Sequence, residues 1–264
     1  MSLWSGMDAT GEALKSEPAA VRIFETSEEL AHAAAEECLR LALQAVGARG
    51  RFSIALAGGS TPKRLYALLA SEEQNSFGKR FPWRETHFFW GDERPVPPDH
   101  ADSNYRMAFE TMLSKVPVSP AQLHRIEGEN TDASKAAEDY EQGLLQHFRP
   151  NRGVWPQFDL ALLGLGPDGH TASLFPDTEV LDEKARLAAA VWVSKFQASR
   201  ITLTAPLLNQ AANILFLVSG KDKAEALRAV LHGEFQPRRY PAQLIRPVQG
   251  SLSWLADRDA TSLL

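Results

Sequence analysis

A single cysteine, the lack of any long apolar run and the lack of a basic block set the first bounds on this chain of 264 residues. Cys38 stands alone, which excludes a disulfide framework and a cysteine-ligated metal cluster and fits a reducing compartment. No stretch approaches the ~18 to 20 apolar residues that cross a bilayer, and no apolar segment follows a basic N-terminus. A cytoplasmic protein without membrane attachment is therefore expected. The 33 acidic residues outnumber the 28 basic ones, for a net charge of −5, and the basic residues are scattered, so no nucleic-acid partner is expected. Internal repeats, low-complexity tracts and a clear inter-domain linker are also missing.

The composition that is present, 44% hydrophobic and 23% charged, is that of a globular chain long enough to bury roughly three quarters of its unfolded surface without disulfides or structural metal. Residues 1–20 mix Ser, Gly, Asp and Glu with a lone Trp4 and read as a flexible tail. Residues 21–264 are expected to form one α/β domain.

From Thr26, a capping-box spacing to Glu29 precedes apolar residues at helical intervals through Leu30, Ala34, Cys38, Leu41 and Ala45, predicting a helix ended by Gly47. Phe52–Ala57 is a short apolar run that breaks at Gly58-Gly59 and restarts with helical spacing from Thr61-Pro62. Strand, glycine turn and helix recur around 86–91, 158–164 and 213–220. Continuous apolar strands alternating with helices predict an open, mostly parallel sheet covered by helices on both faces, with ligands gathering at the carboxyl ends of the strands.

Four segments at those strand ends carry chemistry. In Gly58-Gly59-Ser60-Thr61-Pro62, glycines admit a ligand close to the backbone, and the N–H groups opening a helix suit phosphate; a plain turn capped by Ser60 or Thr61 reads equally well. Asp92 and Arg94 follow directly on Phe88-Phe89-Trp90, where a carboxylate and a guanidinium face the expected crevice, while Asp102 or Ser103 caps a helix from Asn104. Gly164-Leu-Gly-Pro-Asp-Gly-His170 places Asp168 and His170 two apart on irregular backbone, where an imidazole can be oriented and left accessible as a base. Arg200 precedes a β-like alternation behind Lys195, and Lys221 and Lys223 open a helix, where a cation opposes the dipole unless it meets an anion. Of the other histidines, His32 and His147 fall in helix patterns, His232 near a helix end, and His87 at the start of a strand, all readable as structural. No metal-ligand spacing is evident.

Together, GGSTP, GDERPVPPDHADSN, GLGPDGHTASLFP, RITLT and GKDKAEAL, in that order from about Phe24 to Leu255, resemble the 6-phosphogluconolactonases within the group that includes glucosamine-6-phosphate isomerase/deaminase. The resemblance implies a Rossmann-like fold and hydrolysis of 6-phosphoglucono-1,5-lactone in the pentose phosphate pathway, with no metal or organic cofactor. By position it implies that Gly59, Ser60, Thr61, Arg200 and Lys223 bind the substrate phosphate and that His170 takes a proton from the attacking water. It puts Asp92, Arg94 and Lys195 in the same active site; Asp168 joins them on its spacing to the histidine alone. The segment after Lys195, Phe196-Gln-Ala-Ser, departs from the family's proline-rich spacer. Two rivals are an isomerase/deaminase and a non-catalytic sugar-phosphate sensor. The first carries an acid five places after the histidine, where this chain has Phe175; the second needs a DNA-binding segment, for which the 20-odd residues before the fold are too few. Oligomeric state is not legible.

Overall fold

The computed structural model describes residues 20–73 and 76–264; the tail expected over 1–20 therefore lies outside the described residues, apart from Ala20. In chain order the strands are β1 (Ala20–Phe24), β2 (Phe52–Leu56), β3 (Thr86–Trp90), β4 (Asp92–Glu93), β5 (Leu123–His124), β6 (Leu160–Gly164), β7 (Ala188–Val193), β8 (Ala198–Leu203), β9 (Asn213–Val218) and β10 (Ser251–Asp257). The helices are α1 (Ser27–Arg49), α2 (Ser60–Leu69), α3 (Phe77–Arg80), α4 (Asn104–Thr111), α5 (Ala133–Phe148), α6 (Ala205–Leu208) and α7 (Ala224–His232).

Seven strands form one sheet in the order β1-β10-β9-β6-β2-β3-β5, and all its pairings are parallel. The strands at its centre are buried on both sides, β2 along its whole length, which is why they read as unbroken apolar runs rather than as alternation. Adjacent side chains of β3 leave on opposite faces. Phe88 stacks on Trp83, whose Nε1 donates to Gly78 O of α3, whereas Phe89 packs against Phe148 of α5 and Phe158. Burial of rings of this size stabilises by roughly 2 to 3 kcal/mol each.

Helix α1 begins where the capping spacing predicts, with the Thr26 hydroxyl accepting from Glu29 N at 3.2 Å. Its end differs from the expectation. The helix runs through Gly47 and stops at Gly50, which has φ +71° and sends its N–H to Val46 O. Gly47 keeps helical backbone because the preceding apolar stripe, including the buried Cys38 and Ala45, holds that turn on the core; the left-handed stop falls where glycine takes positive φ.

The chain runs from β2 to β3 and β5 on one side, then returns to place β6 on the other side of β2. That reversal opens a crevice above the carboxyl ends of β2 and β6. A second sheet, β4-β8-β7, is antiparallel and stands over these ends. Gly91 is the junction: its N–H still bonds Leu56 O in the large sheet at 2.9 Å, while its carbonyl accepts from Leu203 N at 2.8 Å beside the small one.

Candidate active site

The crevice is a cleft of about 780 Å³. Gly59, Ser60, Thr61, Asp92, Arg94, His170, Arg200 and Lys223 all line it, although they come from segments far apart in sequence. Asp168 and Lys195 do not line this cleft. They stand behind His170, where they border a neighbouring hollow formed with β7.

The glycine turn after β2 leaves the N-terminus of α2 open. Gly59 sits at the cap position with φ +105°, and no side chain caps the helix, so neither Ser60 nor Thr61 plays the capping role considered from the sequence. Both lie in the first turn, with their N–H groups and the helix dipole directed at the cleft. Gly58 is fixed by crowding, since a Cβ there would come within 2.0 Å of Asn104 Oδ1.

Three cations share the cleft with that helix end. Arg200 is held by a bond from Nη1 to Ser199 O and lies over the ring of Phe196 at 5.1 Å. Burial lowers its pKa, as does the neighbouring Arg94 charge, against the pull of Asp92, Asp102 and Glu93. Arg94 donates to Asp102 O, and Lys223, at the turn following Gly220, pairs with Asp222 at 2.8 Å. Positive charge from these side chains and the uncapped N-terminus of α2 line the same cleft, an arrangement whose electrostatics suit an anion.

His170 occupies the other wall, on the loop after β6. Its Nδ1 is bonded to Asp168 Oδ1, and Asp168 Oδ2 accepts from Lys195 Nζ at 3.2 Å. Partial burial acts to raise the Asp168 pKa, but the hydrogen bond and charge of His170, with the bond from Lys195, prevail and hold the carboxyl well below the usual carboxylate range. The imidazole also stacks on Phe175, centroids 4.2 Å apart. The loop geometry depends on glycine, because a Cβ on Gly166 would sit 2.0 Å from His170 Nδ1 and Gly169 has φ +78° against Tyr240. With Nδ1 engaged, Nε2 is the nitrogen left for proton transfer.

Asp92 is in the cleft wall, yet its carboxylate is occupied: Oδ2 accepts from Ser173 Oγ at 2.6 Å and Oδ1 from Asn104 Nδ2 at 3.2 Å. It joins the α4 segment to the histidine loop. Glu93, within the GDERPVPPDHADSN motif, is buried and caps α4, accepting from Asn104 N, Tyr105 N and Arg94 N at 2.8 Å each and from Ser103 Oγ. Of the two caps the sequence offers, Asp102 and Ser103, it is Ser103 that accepts from Arg106 N, at 3.1 Å. Asn104, Ser173 and Asp257, which accepts from Gly220 N and shapes the lysine turn, carry no functional assignment from the sequence: a short polar residue at a helix start, in a loop or at a strand end gives no signal beyond capping.

The chain matches the family described as glucosamine-6-phosphate isomerases/6-phosphogluconolactonase over residues 25–254. It belongs to that family. Among its relatives, the 6-phosphogluconolactonase of Synechocystis is 44% identical over 82% of this chain and 86% of its own length. The human 6-phosphogluconolactonase is 38% identical over 94% of each chain. The solved structure of 6-phosphogluconolactonase from Trypanosoma brucei superposes with a TM-score of 0.82 at 30% identity, covering 94% of this chain and all of that one. The family's mostly parallel Rossmann-like sheet is the one found here. Among the described residues, no helix is long and apolar enough to cross a membrane.

Proposed function

We propose that the chain hydrolyses 6-phospho-D-glucono-1,5-lactone to 6-phospho-D-gluconate, the reaction of the pentose phosphate pathway that its relatives' names denote. The observation that carries this reading is a single cleft with an anion site at one wall and an oriented, carboxylate-backed imidazole at the other.

A lactone is an activated ester with a tethered leaving group. Neutral His170 accepts a proton from water through Nε2 as the water attacks C1, then returns it to the ring oxygen as the ring opens. No covalent intermediate is needed. Asp168 fixes the tautomer and balances the imidazolium that forms, and Lys195 keeps Asp168 ionised. Negative charge grows on the carbonyl oxygen, and Arg94, which lines the cleft, is the cation assigned to it; Lys195 is turned towards Asp168 instead. Gly59, Ser60, Thr61, Arg200 and Lys223 hold the 6-phosphate, which fixes the sugar against His170 and removes orientational freedom before the chemical step. Asp92 acts through Ser173 and Asn104 as a positioning residue.

Isomerisation or deamination is disfavoured by Phe175, whose ring stacks on His170 where an acid would be required. A cytoplasmic location and a lack of nucleic-acid partners belong to the same reading, supported by the lone buried Cys38 and the acidic net charge. Carbon-13 NMR of C1-labelled substrates tests the choice: the lactone should become gluconate 6-phosphate faster than it does without protein, while glucosamine 6-phosphate stays unchanged. Conversion of the amino sugar with no effect on the lactone would reverse the assignment.

A further inference from the structure

Three histidines that the sequence spreads over 60 residues, with no ligand spacing between them, meet away from the cleft. His87 is on β3, His124 on the edge strand β5 and His147 in the last turn of α5, and one ligand-type nitrogen from each lies within 4.8 Å of the others. Nδ1 of His87 faces Nε2 of His124 at 3.1 Å. The ring of His147 is centred 4.5 Å from that of His87 and 4.6 Å from that of His124. Phe89 stacks on His124 at 4.4 Å and Phe148 meets His147 edge-on at 4.9 Å, so packing against the core fixes the rings while all three stay half-buried, with an open side.

We propose that His87, His124 and His147 bind one divalent transition-metal ion of the type imidazole favours, such as Zn²⁺ or Co²⁺. Tetrahedral zinc holds nitrogens at about 2.0 to 2.1 Å, which separates its ligand atoms by about 3.3 Å. His87 and His124 already have that spacing, and the third nitrogen lies within 4.8 Å, at most about 1.5 Å beyond it. Facing nitrogens at 3.1 Å share one proton between two neutral rings. On metal entry the donor ring shifts that proton to its other nitrogen and the two rings tilt, which turns both lone pairs to the ion. Burial already favours neutral rings, lowering the pKa of all three. Water fills the fourth position on the open side. A set of imidazoles without carboxylates selects against Mg²⁺ and Ca²⁺. The opposing charge is Arg51, which acts on His87 and His147. The ion would clamp the two-residue strand β5 to β3 and α5. Because His87 lies three residues before Trp90, at the amino side of β3, the site is separate from the cleft above the carboxyl ends.

Chelator-stripped protein titrated with Zn²⁺ in equilibrium dialysis, and with Co²⁺ followed by its visible absorption, tests this. One equivalent should bind, with the strong absorption of tetrahedral cobalt and a rise in Tm. His124→Ala and His147→Ala should each weaken binding by about tenfold or more, a loss that even outer-shell partners of a metal produce. Arg51→Ala should tighten it. His170→Ala is the control for the competing His170–Asp168 pair and should leave metal affinity and stoichiometry as in the wild type. Should either alanine variant unfold by circular dichroism, His147→Gln and Arg51→Ala carry the same comparison. No saturable binding by the wild type, or binding abolished by His170→Ala and kept by His147→Gln, overturns the proposal.

Discussion

Asp168 holds His170 Nδ1 with one carboxylate oxygen and turns the other to Lys195, so the imidazole enters the cleft already oriented. Asp168→Asn keeps the shape and removes the charge. We expect kcat to fall about 10²- to 10⁴-fold with KM nearly unchanged, because the group acts on the proton-transfer step rather than on phosphate. Steady-state kinetics on the lactone measure this, and a change confined to KM would contradict it.

The same pair sets a pH dependence of stability. The folded pKa of Asp168 is depressed relative to its unfolded value, so its stabilising contribution is present above about pH 4 and is lost as the pH falls further. Urea midpoints of wild type and Asp168→Asn should therefore converge as the pH drops below 4, and equal separation at pH 3 and pH 7 would count against the ion pair.

Arg200 and Arg94 share a cleft but are assigned different parts of the substrate. Arg200→Lys and Lys223→Ala should raise KM and lower kcat on the phosphorylated lactone, yet leave the slow hydrolysis of unphosphorylated gluconolactone almost unaltered. Arg94→Ala should slow both, by about 10²-fold, as loss of an oxyanion partner does. Equal proportional losses on the two substrates in the Arg200 variant would remove it from the phosphate site.

Glu93 touches nothing that reacts, but three N–H groups and a hydroxyl converge on its buried carboxylate. Glu93→Ala should destabilise the fold by roughly 3 kcal/mol, because those donors lose their acceptor away from water. Equilibrium urea unfolding reads this directly, and a change under 1 kcal/mol would show that water replaces the carboxylate.

Much of the fold and of the site is legible in the sequence. The four apolar runs that became β2, β3, β6 and β9 are continuous because both faces of those strands are covered, and the glycine breaks after them mark where the chain turns over the crevice. Thr26 and Ser103 announced helix starts through local hydrogen bonding, which sequence spacing records. The stop of α1 at Gly50 instead of Gly47 was decided by packing on the core, which spacing does not record. Likewise, the resemblance put Lys195 and Arg94 in one site and did not separate the cleft that Arg94 lines from the hollow that Lys195 borders, since their places depend on the antiparallel sheet formed by β4, β7 and β8. The convergence of His87, His124 and His147 was invisible for the same reason: it arises from strand order and the placement of α5.

The most direct test is acid release from freshly prepared 6-phosphogluconolactone, followed in a weakly buffered indicator assay with the uncatalysed rate subtracted, for wild type and for His170→Ala shown to be folded. Wild-type protein should accelerate release, in the presence of chelator as in its absence, and the variant should lose most of kcat while still binding the product 6-phosphogluconate. Near-normal turnover by folded His170→Ala, or wild-type activity that chelation abolishes and a divalent ion restores, would contradict an imidazole acting on water as the source of catalysis.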